Sequence, residues 1–284
     1  MITAVGWLTL GVANMRSENI TESASVVDGF GQRIQPADCE THGPFDQRVS
    51  VIFNREFKGI CPECEKIAKA EREAEEQASA ARETRVAMVR KLGSALIPKR
   101  FADKTFDAYI AETEGQKKAL RIAIRYAERF TDIAPTGRCL LLLGKPGTGK
   151  THLAVSIANE IMRTTAATAV YRTIGSVLQA IRATYDRSSE QTEAQILQGL
   201  IAPSLLVLDE IGVSKETPSD FELTTLFAII NGRYEELRPT VIVSNLEAEQ
   251  LPSALGERCM DRLREGGGVA VKFDWESQRG KEGF

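Results

Sequence analysis

The chain has 284 residues, enough for one substantial domain and a smaller one. Its composition, 43% hydrophobic and 26% charged with a net charge of −3, is that of a globular protein without a global basic field, so any contact with nucleic acid must rest on local patches. Five cysteines do not make a disulfide framework and point instead to reduced, cytoplasmic thiols or a metal site, and no run of 18 apolar residues is present to span a membrane.

In chain order, residues 1–35 read as a disordered extension. Its first part, MITAVGWLTLGVAN (1–14), is apolar but has no basic region ahead of it, which argues against a signal peptide. Residues 36–66 hold Cys39-x-x-His42 and Cys61-x-x-Cys64 with 18 residues between the pairs. Two close pairs across a long gap can wrap one tetrahedral Zn²⁺, and four protein ligands make the site structural. A strand is expected at 48–53, followed by a turn and FKGI. So short a module would lean on its metal to fold. Residues 65–92 are rich in Ala, Glu, Lys and Arg, without Gly or Pro, and read as a long solvated helix that Gly93 and Pro98 end. That helix supplies a linker over 67–96, with the main domain over 97–284.

Residues 97–109 read as an extended lead-in with aromatic anchors. Helical apolar spacing follows at Ala119, Leu120, Ala123, Ile124, Ala127 and Phe130. From 138 onward, five apolar β-prone runs alternate with helical segments: CLLLLG (139–144), AVYRTI (169–174), LLVLD (205–209), TVIVSN (240–245) and VAVKF (269–273). Continuous apolar strands separated by helices imply an α/β fold, with a five-stranded parallel sheet covered on both faces.

Gly144-Lys145-Pro146-Gly147-Thr148-Gly149-Lys150-Thr151 satisfies G-x-x-x-x-G-K-[ST] between a strand and a helix. The glycines let backbone N–H groups curl inward onto phosphate oxygens, and the helix N-terminus adds its positive dipole end. Lys150 is placed to reach the β and γ phosphates of ATP, and the Thr151 hydroxyl to ligate Mg²⁺. His152 follows directly and is counted with the cradle, its ring read as packing rather than catalysis. LLVLDE (205–210) carries Asp209 to a strand end, where it can hold Mg²⁺, and sets Glu210 beside it to polarise an attacking water. Asn245, at the tip of the next strand, is placed to orient that water.

Six blocks in this order, IPKRFADKTFDAY, LLLGKPGTGKTHLA, LLVLDEIGV, IINGRYEELRPTVIVSNL, LGERCMDRL and FDWESQR, resemble the replicative-helicase loaders of the DnaC type within the AAA+ ATPases. The resemblance covers about residues 97–280. It implies an arginine finger at Arg262, with Arg258 as the alternative, acting on the ATP of a neighbouring subunit in a self-oligomer. It also implies a second sensor arginine at Arg279 and the first sensor at Asn245. Loaders of this type hand a hexameric DnaB-like helicase to single-stranded DNA, and their N-terminal region grips the helicase. The resemblance places DNA contacts around Arg182, Tyr185, Arg187 and Lys215. Two other readings stand beside it: an IstB-like transposition ATPase binding duplex target DNA, and a zinc-dependent adaptor with a vestigial ATP site.

Overall fold

The computed structural model describes residues 32–279 except 54, 187 and 213–216. The expectations for 1–31, Arg187 and Lys215 lie outside the described residues. The chain divides at Ala81/Arg82 into two compact units.

The first unit opens with three antiparallel strands, β1 (Gln32–Cys39), β2 (Gly43–Ile52) and β3 (Arg55–Lys58), in the order β1-β2-β3. β1 pairs with β2 from Gln32↔Ser50 to Cys39↔Gly43, so Cys39 and the turn residue His42 lie at one end of the hairpin. β1 starts four residues inside the segment expected to be irregular. Its sequence, QRIQPADC, holds little apolar signal, and backbone pairing with β2 recruits it. The Gly59 N–H donates to the Arg48 carbonyl at 2.7 Å, and Gln47 Nε2 donates to the Gly59 carbonyl at 2.8 Å. These bonds return the chain toward Cys61.

Helix α1 (Pro62–Ser94) has 33 residues, a length of roughly 50 Å. None of its residues within the helix is buried, as its charged composition requires. Gly93 lies inside the helix, which runs one residue past it. An exposed glycine costs a helix about 1 kcal/mol against alanine, and the packed end of α1 offsets that cost. Lys91 Nζ donates to the carbonyls of Met162 (2.9 Å) and Thr165 (2.7 Å).

The second unit continues through α2 (Glu114–Glu128), α3 (Phe130–Ile133), β4 (Leu140–Gly144), α4 (Lys150–Thr164), β5 (Ala169–Thr173), α5 (Ile174–Ala183) and α6 (Glu193–Ile201). It ends with β6 (Leu205–Ile211), α7 (Asp220–Glu235), β7 (Thr240–Ser244), α8 (Leu251–Leu255), α9 (Glu257–Glu265) and β8 (Val269–Phe273). The five strands are parallel in the order β5-β6-β7-β4-β8.

Alternate residues of the central strands enter two separate cores. Leu140, Leu142, Val207 and Val241 pack with α2 and α4, whereas Leu141, Leu143, Leu206, Leu208 and Ile242 pack with α5, α7, α8 and α9. Burial on both faces explains why these strands read as unbroken apolar runs. Arg233 is 1% exposed, and its guanidinium donates to the carbonyls of Leu200, Ile201, Pro203 and Pro239 and to Thr240 Oγ1. It ties the end of α6, the start of β7 and α7 together. Burial pulls its pKa down to about 9.

Candidate nucleotide site and metal centre

At the C-terminal ends of β4, β6 and β7 lies a cavity of roughly 690 Å³. Its lining includes Pro146 through His152, Asp209, Glu210, Asn245 and Arg279. Ligands of open α/β sheets bind at these strand ends. Gly147 and Gly149 have φ of +75° and +92°, the left-handed region that lets the loop fold its N–H groups inward. Gly144 and Lys145 lie beneath the loop, and each offers its carbonyl to Lys150 Nζ at 2.6 Å. Lys145 itself is exposed. Burial lowers the Lys150 pKa to about 8, against the opposing pull of Asp209.

Asp209 is 4% exposed. Its Oδ2 accepts from the Thr151 hydroxyl (2.8 Å) and the Tyr171 hydroxyl (2.9 Å), and its Oδ1 accepts from the Glu210 N–H (2.7 Å). A hydroxyl and a carboxylate meeting at one point are hard oxygen donors suited to Mg²⁺. The β6–β7 register slips between Leu208 and Ile211, where β6 uses one more residue than β7. Glu210 occupies this bulge with φ of +62°. A non-glycine residue in that region is strained, and the bulge re-aims the side chain out of the strand's alternation. Glu210 is exposed while Asp209 beside it is buried.

His152 lines the cavity wall. Its Nε2 lies 2.8 Å from the Thr105 carbonyl, and its ring meets Tyr109 edge-on at 5.4 Å. Together with Asn159, whose Nδ2 donates to the Ala102 and Lys104 carbonyls, it fastens the lead-in to α4. Arg258 and Arg262 do not line the cavity. Arg262 Nε donates to Asn231 Oδ1 at 3.2 Å, and its guanidinium stands 5.3 Å from the Tyr234 ring centre. Arg182 stands 5.2 Å from the Phe221 ring, and exposed Tyr185 donates its hydroxyl to Glu193 at 3.3 Å.

In the first unit, one ligand atom from each of Cys39, His42, Cys61 and Cys64 falls within 4.8 Å of all the others. Ligands of a tetrahedral Zn²⁺ stand about 3.5–3.8 Å apart, given Zn–S and Zn–N bonds of about 2.3 and 2.0 Å. Here His42 Nδ1 lies 3.7, 3.8 and 3.3 Å from the sulfurs of Cys39, Cys61 and Cys64, and the Cys39 and Cys64 sulfurs are 3.5 Å apart. The residues fit the ion. Cys61 lies just ahead of the first turn of α1 and Cys64 within it. Backbone N–H groups of Thr41 and His42 pull the Cys39 thiol down to about 6, and its hydrogen bond to Cys39 pushes Cys64 up to about 11.

Three residues at the nucleotide site were not singled out by local pattern, although Tyr109 belongs to the aromatic lead-in. Tyr171 reaches Asp209 only because β5 adjoins β6. The Tyr109 hydroxyl and Trp275 Nε1 both donate to the Thr148 carbonyl, from segments far apart in the chain. The one available hint was the aromatic content of the two flanking blocks.

A family model described as IstB-like ATP binding protein matches residues 66–266. The four cysteine and histidine ligands precede that match. The chain is 34% identical over 192 residues to the replicative helicase loader DnaC of Buchnera aphidicola subsp. Acyrthosiphon pisum, covering 68% of this chain and 76% of the relative. It is 37% identical over 177 residues to the replicative helicase loader DnaC of Escherichia coli K12, covering 62% and 69%. Among solved structures, the DnaC helicase loader aligns with a TM-score of 0.56 at 24% identity, over 62% of this chain and 100% of that one. DnaI aligns with a TM-score of 0.53 at 21% identity, over 65% and 95%. These two likenesses concern the fold.

Proposed function

The chain belongs to the IstB-like ATP-binding proteins, the AAA+ family of the DnaC-type loaders, and from that premise we propose that it loads a hexameric DnaB-type replicative helicase onto single-stranded DNA under the control of ATP. The observation that carries the reading is the convergence of Lys150, Thr151, Asp209, Glu210, Asn245 and Arg279 on one cavity, with Arg262 held away from it.

Each residue has a physical task in this reading. The loop N–H groups and Lys150 hold the triphosphate, and Arg279 neutralises its terminal charge from within the same subunit. Thr151 and Asp209 would hold Mg²⁺, which screens the phosphate oxygens when bound. Glu210 and Asn245 orient and polarise the attacking water. Arg262, kept presentable by Asn231 and the Tyr234 ring, serves the site of a neighbouring copy, so hydrolysis requires a self-oligomer. Arg182 and Tyr185 offer a cation and an exposed ring to single-stranded DNA.

The N-terminal unit, folded around Zn²⁺, grips the helicase. Its apolar residues Ile34, Ile52, Phe53 and Phe57 are more than half exposed. Among the described residues no helix is long and apolar enough to cross a membrane, in keeping with a cytoplasmic working place.

The test is a loading assay with a DnaB-type hexamer, ATP and single-stranded DNA coated with its binding protein. Wild-type protein should load the helicase, Lys150→Ala should fail, and Arg262→Ala should be impaired. Strong duplex binding without helicase contact would replace this reading with that of a transposition ATPase.

A further inference from the structure

A phosphate loop turns its N–H groups inward, which leaves its carbonyls facing outward and in need of donors. The Tyr109 hydroxyl reaches the Thr148 carbonyl at 3.3 Å, and one C-terminal segment supplies two further donors. The Thr148 carbonyl accepts from Trp275 Nε1 at 3.0 Å, and the Gly147 carbonyl accepts from the Gln278 N–H at 2.8 Å. In the reverse direction the Lys145 N–H donates to the Phe273 carbonyl at 2.9 Å. The approach is so close that a Cβ on Gly147 would collide with Ser277 and lie 3.5 Å from Arg279 Cδ.

The Trp275 ring is wedged in turn. It lies 4.8 Å from the Phe273 ring and against the first turn of α2, where a Cβ on Gly115 would come within 3.3 Å of it. Arg279 lines the cavity and stands on irregular backbone four residues beyond Trp275.

We propose that Trp275 is a positioning residue that fastens the backbone carrying Arg279 to the phosphate loop, so that loop and arginine respond to a triphosphate as one body. This rests on the reading of the cavity as the ATP site. An indole N–H is a donor only, and the ring is too large to shift without repacking, so the bond fixes both the loop and the segment. Without it, the loop's own N–H groups would still cradle the inner phosphates. Arg279 would lose its set distance to the outermost one, and the entropy of placing it would fall on the binding step. The loss should therefore be specific to the γ-phosphate.

The protein has two tryptophans, so Trp7→Phe leaves Trp275 as the sole emitter. In that background, adenylyl-imidodiphosphate should shift the Trp275 emission differently from ADP. Identical spectra with the two nucleotides would overturn the proposal. Trp275→Phe keeps a ring and removes the donor. It should weaken adenylyl-imidodiphosphate about 3- to 10-fold and ADP by less than about twofold, and combining it with Arg279→Ala should add less than about twofold to Arg279→Ala alone. Equal losses for both nucleotides, or effects that multiply, would overturn it. The spectra carry the decision if Trp275→Phe does not fold. Failure of the Trp7→Phe protein to bind either nucleotide would instead sink the reading of the cavity as an ATP site.

Discussion

The Tyr171 hydroxyl donates to Oδ2 of Asp209, the same oxygen that accepts from Thr151. Both Tyr171 and Asp209 are buried, and burial first, then the carboxylate, raises the Tyr171 pKa, so it stays a neutral donor. An outer partner of this kind orients a ligating carboxylate. Tyr171→Phe should raise the Mg²⁺ concentration for half-maximal nucleotide binding about tenfold, and leave metal-free binding of ADP unchanged. Titration of a fluorescent ADP analogue with and without Mg²⁺ measures both. An unmoved Mg²⁺ midpoint would reduce the bond to a packing detail.

Glu210 sits at φ of +62°, where a Cβ costs about 1–2 kcal/mol. Glu210→Gly should relieve that strain. After the glycine's own entropy in the unfolded chain, it should stabilise the protein by about 0.5–1 kcal/mol. Glu210→Ala keeps the Cβ and should gain nothing. Both should stop phosphate release. Equal denaturation midpoints for the glycine and alanine variants would show that the bulge carries no strain.

Lys150 has its pKa lowered to about 8, chiefly by burial. A bound triphosphate favours the charged form and raises it. The pKa of the complex thus exceeds that of the free protein, so binding draws in a proton. Affinity should be full below pH 8 and fall as pH rises above it, up to the pKa of the complex. Calorimetry at pH 8.5 in buffers of different ionisation enthalpy should register proton uptake, which Lys150→Ala abolishes. Affinity that is flat from pH 7 to 9.5 would contradict the assignment.

The zinc reading of the four ligands predicts that a chelator unfolds the N-terminal unit and spares the second. Limited proteolysis after chelator treatment should cut within residues 32–60, while nucleotide binding persists. Cys61→Ser should behave in the same way without chelator. Protection unchanged by chelator would argue that the four ligands meet without an ion.

The main fold was legible because each central strand is buried on both faces, which leaves short β-prone apolar runs that alternate with helical segments. The meeting of the phosphate loop with Asp209 and Glu210, and of the two cysteine pairs, was legible because each motif is written in local spacing. β1 was not, since its polar residues become a strand only through pairing with β2. Tyr171 and Trp275 were not, because their partners are set by strand order. The φ of Glu210 follows from a register slip between two strands, and no local pattern announces it.

The bond between Trp275 and Thr148 closes a gap of 127 residues. Contacts so distant in sequence form late, after the intervening strands and helices have condensed. On the ribosome, the loop with Lys150 emerges well before β8 and the segment that clasps it. Early in synthesis the chain therefore holds the phosphate loop with Tyr109 available to the Thr148 carbonyl but without the Trp275 and Gln278 donors. On the proposal above, the response to the γ-phosphate would arrive only once the C-terminal segment has docked.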